Sequence, residues 1–469
     1  MTASTTPIQA EPGSTVARRR PGRSALIVLA ALAVAAASFA LAPLLRPAPT
    51  PVPVRPAVPL PGVPATVAEP TTVGGAVDDR LPLDQRIAFW AKRVQAHPDD
   101  FLSLVQLATV DAERGRLTAD LGAYDAALTM IGRSLAIVPR YPLTIRARAS
   151  IRFAIHDFTG AEADAKAVLA KIPGDSTALS VLGDTAIELG RPADAAVAFD
   201  ELASTAPGPW LDVRRARLTY ATGHPADAVA LARRAQAAAA TEDPVDAGFY
   251  AFALGEFARL GGDGSTARTA YDAALAIRPG DLGALVGLAR VDAADGRTAD
   301  AIAGLRHAAA IAPQPETLAL LADLETLNGD AAAAQADEAT VRLTRQLSQL
   351  AGSVYDRQLD LFELDHGGAT PAILADVQAA LAVRPDPAGH DIVAWALHRL
   401  GRDDEASVES GLARASGIVD ARIIYHAGAI AIARGDVAGG RALVQQALAL
   451  GPALDPLDRS AAEGLIAGS

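Results

Sequence analysis

The chain has 469 residues, of which 50% are hydrophobic, 4% aromatic and 20% charged, with a formal net charge of −12. It contains no cysteine, which excludes disulfides, a thiol nucleophile, Cys-ligated zinc, iron–sulfur ligation and a lipid anchor carried on cysteine. The acidic balance argues against nucleic acid as a partner, because phosphate contacts need clustered Lys and Arg. An alanine-rich composition with few aromatics favours closely packed helices over a β-sandwich or barrel.

Residues 1–23 are a polar tail ending in Arg18, Arg19, Arg20 and Arg23. Residues 24–45 carry no charge, and as a helix they would extend about 33 Å, enough to cross a hydrocarbon core of about 30 Å. The four arginines before this segment put the N-terminus in the cytoplasm and the rest of the chain outside, as the positive-inside rule requires. The expectation is a single-pass membrane protein with an extracytoplasmic body. A cleaved secretory signal, leaving a secreted protein, is the alternative: Ala40–Ala42 offers an Ala-x-Ala pattern, though Pro43 directly after it hinders cleavage. Residues 46–80 are rich in proline (Pro47, Pro49, Pro51, Pro53, Pro56, Pro59) and read as a disordered, extended linker, since alternating prolines favour polyproline II and forbid helix.

Residues 81–469 form the third part, a repeat domain. A glycine is followed seventeen residues later by a proline at Gly122/Pro139, Gly190/Pro207, Gly262/Pro279, Gly296/Pro313, Gly368/Pro385 and Gly435/Pro452, and His156/Pro173 keeps the spacing. Successive turn positions lie 33 or 34 residues apart, except for two intervals of 39 that end at Gly262 and Gly368. Seven residues before the turn stands a small residue (Ala149, Gly183, Ala216, Gly255, Ala289, Ala322, Ala394, Gly428), with Leu361 the exception. Five residues after it stands alanine (Ala127, Ala161, Ala195, Ala228, Ala267, Ala301, Ala334, Ala406), from which Ile373 and Gly440 depart. Small side chains at these places let two helices cross closely.

This pattern resembles the tetratricopeptide repeat, a 34-residue helix–turn–helix unit. The resemblance implies an all-α, right-handed superhelical solenoid of about ten units over residues 99–452. Residues 83–96 read as an N-terminal capping helix and 455–466 as a C-terminal one. The 39-residue intervals predict lengthened second helices near 224–244 and 330–352, the latter interrupting the superhelix. Residues 100–121 predict an overlong first helix broken at Gly115.

No phosphate-cradling glycine loop, nucleophile elbow or His-Glu-x-x-His stands in the chain, so catalysis and cofactors are not expected. His390, His398 and His426 with Asp391, and His366 beside Asp365, are read as separate histidines rather than a metal centre. A stacked solenoid offers instead an extended concave surface. In the family the first helix of each unit lines it, and the implied lining here includes Trp210, Arg217, Tyr220, Phe249, Phe252, Glu256, Arg259 and Arg290. Aromatic residues and arginine are the side chains that dominate binding hot spots. The function that follows is a membrane-anchored scaffold capturing other proteins or peptides in the groove, in envelope assembly or secretion. An extracytoplasmic hydrolase or small-ligand receptor using that groove is one alternative, and a structural homo-oligomer is another.

Overall fold

The computed structural model describes residues 81–118, 120–239, 244–350 and 357–468. Among them are twenty-two α-helices and no strand. The helix α1 (Leu83–Ala96) is the expected N-terminal cap. Ten helical hairpins follow: α2 (Phe101–Thr118) with α3 (Leu121–Ile137), α4 (Pro142–Ala154) with α5 (Phe158–Leu169), and α6 (Ser176–Glu188) with α7 (Pro192–Thr205). Next come α8 (Pro209–Ala221) with α9 (Pro225–Ala239), α10 (Pro244–Leu260) with α11 (Gly264–Ile277), and α12 (Leu282–Ala294) with α13 (Thr298–Ile311). The last four are α14 (Pro315–Leu327) with α15 (Ala331–Leu350), α16 (Arg357–Asp365) with α17 (Pro371–Val383), α18 (Pro387–Arg399) with α19 (Asp403–Ala413), and α20 (Ala421–Ala433) with α21 (Val437–Ala449). A 3₁₀ turn, Gly451–Ala453, leads to the C-terminal cap α22 (Pro456–Ala467).

Local chemistry explains these boundaries. Many helices begin either at an aspartate whose carboxylate caps a free N–H, as Asp157, Asp175, Asp263 and Asp436 do, or at a proline in the first turn, as at Pro192, Pro209 and Pro315. Most first helices end at a residue in the left-handed region, usually glycine: Gly190, Gly223, Gly262, Gly296, Gly329, Gly401 and Gly435, with His156 at the second turn. The fifth-position alanines are shut away; Ala127, Ala161, Ala195, Ala228, Ala267, Ala301 and Ala406 are all fully buried.

The two helices of a unit face different surroundings. A second helix such as α7 buries one stripe, Ala195, Ala198, Phe199 and Leu202. A first helix such as α20 buries nine residues in an unbroken run from Ile423 to Ile430 together with Ala421, so it is covered on both sides. First helices therefore form the inner layer and second helices the outer one.

The inner layer is covered because the array folds back on itself. The 3₁₀ turn and α22 contact the inner helices α10, α12 and α14. Further along, the backbone of one superhelical limb lies on that of the other. A Cβ on Gly190 would stand 2.4 Å from the Pro385 carbonyl oxygen, and one on Gly223 would stand 2.2 Å from that of Gly417. Both glycines also have positive φ, 69° and 86°.

Several expectations need correction. α2 runs unbroken through Gly115, where a Cβ would lie 2.8 Å from the Tyr124 ring, so this glycine makes room for a neighbour and does not break the helix. Gly122 lies inside α3, whose N-cap is Asp120, and the left-handed residue after α16 is Gly367 rather than Gly368. For the first 39-residue interval, α9 is described over 15 residues up to Ala239, residues 240–243 lie outside the described residues, and the following first helix α10 has 17 residues against 13 in α8 and α12. The second interval does lengthen its second helix: α15 has 20 residues. The point after it, residues 351–356, lies outside the described residues. So do the basic tail, the apolar segment 24–45 and the Pro-rich linker. Among the described residues no helix is long and apolar enough to cross a membrane.

Candidate interaction groove

The inner wall begins at α8. Trp210 opens that helix and is buried, with the Arg214 guanidinium 5.3 Å from the centre of its ring. Arg214 donates to Asp184 of α6 at 2.9 Å, and both side chains are 3% exposed. Burial raises the Asp184 carboxyl to about 6, and the Arg214 charge opposes the rise. One turn on, Arg217 pairs with Glu188, whose second oxygen takes Arg384 from 196 residues away. Tyr220 closes the helix, its hydroxyl donating to Asp420 at 3.3 Å.

On α10, Phe249 is half-buried against Tyr250, and Phe252 packs inside against Tyr271. Glu256 accepts from the Tyr271 hydroxyl and, at 3.0 Å, from Arg259. Arg259 reaches across the interior to the Pro452 carbonyl oxygen at 3.3 Å. Arg290 of α12 divides its guanidinium between Glu316 at 3.0 Å and Asp455, at the foot of α22, at 2.7 Å. Burial works against the charge on Arg290, but Asp455 and Glu316 overcome it and raise its pKa. The opposite holds for Asp455: burial disfavours its charge, yet Arg290 holds its carboxyl below the ordinary value.

The lining residues read from the sequence lie on α8, α10 and α12, and they differ in what they touch. Trp210 and Phe252 are packed into the wall itself, whereas Arg259, Arg290 and Tyr220 hold the far limb. The partners Asp420, Pro452 and Asp455 escape sequence reasoning, because they stand 165 to 200 residues from the side chains that meet them. The one available signal was an acidic start to the cap, Asp455 and Asp458, just after the last repeat.

A second polar group lies where α16, α18, α20 and α22 converge. His426 is fully buried, stacked on Trp395 at 4.0 Å between ring centres, and its Nδ1 meets both oxygens of Asp391 at 3.0 and 3.1 Å. Trp395 Nε1 donates to Asp365 at 2.7 Å. Asp365, His426 and Asp458 offer coordinating atoms within 4.8 Å of one another. Burial, with the Asp365 charge next in weight, pushes the Asp458 carboxyl up to about 8. His390 and His398 do not join this group. They pair with Glu409 at 2.7 Å and Asp403 at 2.6 Å, as separate histidines would. His366 binds Asp323 at 3.0 Å.

Residues 258–324 match the tetratricopeptide repeat family. That stretch runs from the end of α10 to α14 and carries both Arg259 and Arg290. No curated protein matches the sequence. Among solved structures, the fold is similar to a tetratricopeptide repeat protein from Parabacteroides merdae ATCC 43184, at 14% identity and a TM-score of 0.40, covering 49% of this chain and 87% of that one. It is also similar to PilW, a type IV pilus biogenesis factor (21% identity, TM-score 0.38, 47% and 97% covered). The Cut9-Hcn1 hetero-tetramer of the APC/C matches over more of the chain, 81% and 93% covered, at 14% identity and a TM-score of 0.31. The family match thus rests on residues 258–324, the stretch whose inner helices also hold the C-terminal limb.

Proposed function

We propose that the chain is an interaction scaffold whose inner helices hold an acidic segment of a partner protein at the place where they now hold residues 450–458. One observation carries this reading. The wall formed by α10 and α12 already grips a non-repeat segment by two arginines, Arg259 on the Pro452 carbonyl and Arg290 on the Asp455 carboxylate. A guanidinium recognises any carbonyl or carboxylate of suitable geometry, so a partner's acidic turn could take over those contacts. The C-terminal limb then acts as a self-ligand that sets a threshold for capture.

The reading extends to the N-terminal part through its sequence alone. Residues 24–45 anchor the chain, the arginines before them stay in the cytoplasm, and the Pro-rich linker 46–80 holds the array away from the membrane on its outer side. Envelope assembly or secretion is the setting that suits such a layout.

The groove is tested by crosslinking in native membranes with wild type, Asp455→Asn and Arg290→Gln. A discrete set of proteins is expected, enriched several-fold by Asp455→Asn, which loosens the self-ligand, and depleted by Arg290→Gln. Equal capture by all three chains would contradict a binding role for this wall. The anchor is tested separately: carbonate-washed membranes should retain the full chain and release one lacking residues 24–45.

A further inference from the structure

The group around His426 has features that neither protein capture nor packing requires. Its imidazole is fully buried, and Asp391 occupies Nδ1 at 3.0 Å. The other nitrogen, Nε2, is buried and has no hydrogen-bond partner. A buried ring nitrogen left without a partner is costly, and native structures rarely leave one so without a reason. Two carboxylates, Asp365 from the end of α16 and Asp458 from α22, complete a trio with coordinating atoms within 4.8 Å of one another.

The surroundings hold these ligands in place. Asp391 fixes the imidazole through Nδ1, the carboxylate–histidine arrangement that orients a metal-binding ring. Trp395 stacks on the same ring with an interplanar angle of 8° and donates to one oxygen of Asp365 at 2.7 Å, leaving the other oxygen to ligate. Arg422 stands 3.5 Å from Asp391 and Arg290 2.7 Å from Asp455. Those two cations face Asp391 and Asp455 most closely, and among the described residues no Lys or Arg stands at such short range from Asp365 or Asp458.

We propose that Asp365, His426 and Asp458 bind one divalent first-row transition-metal ion of the zinc or cobalt type. One imidazole nitrogen with two carboxylates suits such an ion, with a fourth position left to water or to an approaching ligand. Calcium, which takes six to eight oxygens, and magnesium, which keeps an octahedron of oxygens, fit this donor set poorly. The three ligands lie on three different helices, α16, α20 and α22. The ion therefore ties the C-terminal cap to the inner layer, and its binding stabilises the folded chain.

The test is titration of the metal-free full chain with Zn²⁺ by calorimetry and with Co²⁺ by visible absorption. One ion per chain is expected, with a Co²⁺ band of low-symmetry nitrogen–oxygen ligation and a raised unfolding temperature. Asp458→Asn and Asp365→Asn should each weaken binding at least about tenfold, and Asp391→Asn should weaken it about 10- to 100-fold by freeing the ring. His390→Ala, away from the site, should leave it unchanged. No binding by wild type would overturn the proposal. So would Zn²⁺ binding that survives Asp458→Asn and Asp365→Asn, or that is lost with His390→Ala. Should a variant misfold by circular dichroism, the wild-type Co²⁺ spectrum decides alone: a spectrum of hexaaqua Co²⁺ rules the site out.

Discussion

Asp184 and Arg214 make an ion pair with both side chains 3% exposed, where removing a charge from water costs most. Burial wins at the carboxyl, which is raised from 3.8 to about 6 in spite of the arginine. A native carboxyl with a raised pKa keeps its proton where the unfolded chain has released it. Its contribution to stability is therefore full below the unfolded value and is lost as pH rises through about 6. The slope is at most about 1.4 kcal/mol per pH unit. Denaturant titrations of wild type and Asp184→Asn at several pH values between about 4 and 7 should show the difference moving against wild type as pH rises. A difference that stays flat would mean that the carboxyl ionises normally. Two glycines separate conformational strain from contact at the same scale. Gly435 has φ 94° and nothing within 4 Å of a would-be Cβ, so Gly435→Ala should cost about 1–2 kcal/mol for left-handed backbone alone. Gly223→Ala meets the Gly417 oxygen as well and should cost about 1–3 kcal/mol more by overpacking. Equal losses in thermal or chemical unfolding would mean that the two limbs do not touch there.

The helix pairs vary on one theme, the side chains at their crossing. Most pair a small residue seven places before the turn with alanine after it. The last unit goes further: a Cβ on Gly440 would lie 2.6 Å from the Gly428 oxygen, so α20 and α21 approach more closely than alanine allows. Gly440→Ala, which restores the residue usual in the other units, should therefore destabilise the chain by about 1–3 kcal/mol in chemical unfolding. A stabilised variant would show that the crossing has slack. The unit of α16 and α17 goes the other way, with the larger Leu361 and Ile373 at those two positions, both buried. These elements were legible in the sequence because turn glycines, capping aspartates and first-turn prolines act over a few residues. Most of the hairpins follow from such signals, whereas the first turn was misplaced at Gly122, which lies inside α3. Gly115 was misread because a glycine inside a helix has two explanations, a break or a close neighbour, and only the position of Tyr124 distinguishes them. The groove was half legible: the family resemblance implies an inner-face place for Tyr220, Arg259 and Arg290, but nothing local says that residues 420, 452 and 455 will meet them.

For the whole molecule, the decisive property is the closure of the array upon itself. Contacts spanning 165 to 200 residues join the inner helices of the third to sixth hairpins to the C-terminal part of the array: Glu188 with Arg384, Tyr220 with Asp420, Arg259 with Pro452 and Arg290 with Asp455. In a solenoid each unit ordinarily depends on its neighbours alone, so such contacts add cooperativity between distant ends. They also put the C-terminal limb where the proposed partner would have to compete with it. The chain's lack of cysteine makes the most direct measurement clean. Thr222→Cys/Ser416→Cys, placed beside the Gly223–Gly417 contact, is treated with a short bis-maleimide, and the intramolecular crosslink is read by gel mobility and peptide mapping. Closure predicts efficient crosslinking within one chain at low protein concentration, reduced several-fold when Arg290→Gln and Arg384→Gln loosen the limb. Two cysteines that react singly, with no internal crosslink, would mean that the groove stands open and that the C-terminal units do not occupy it.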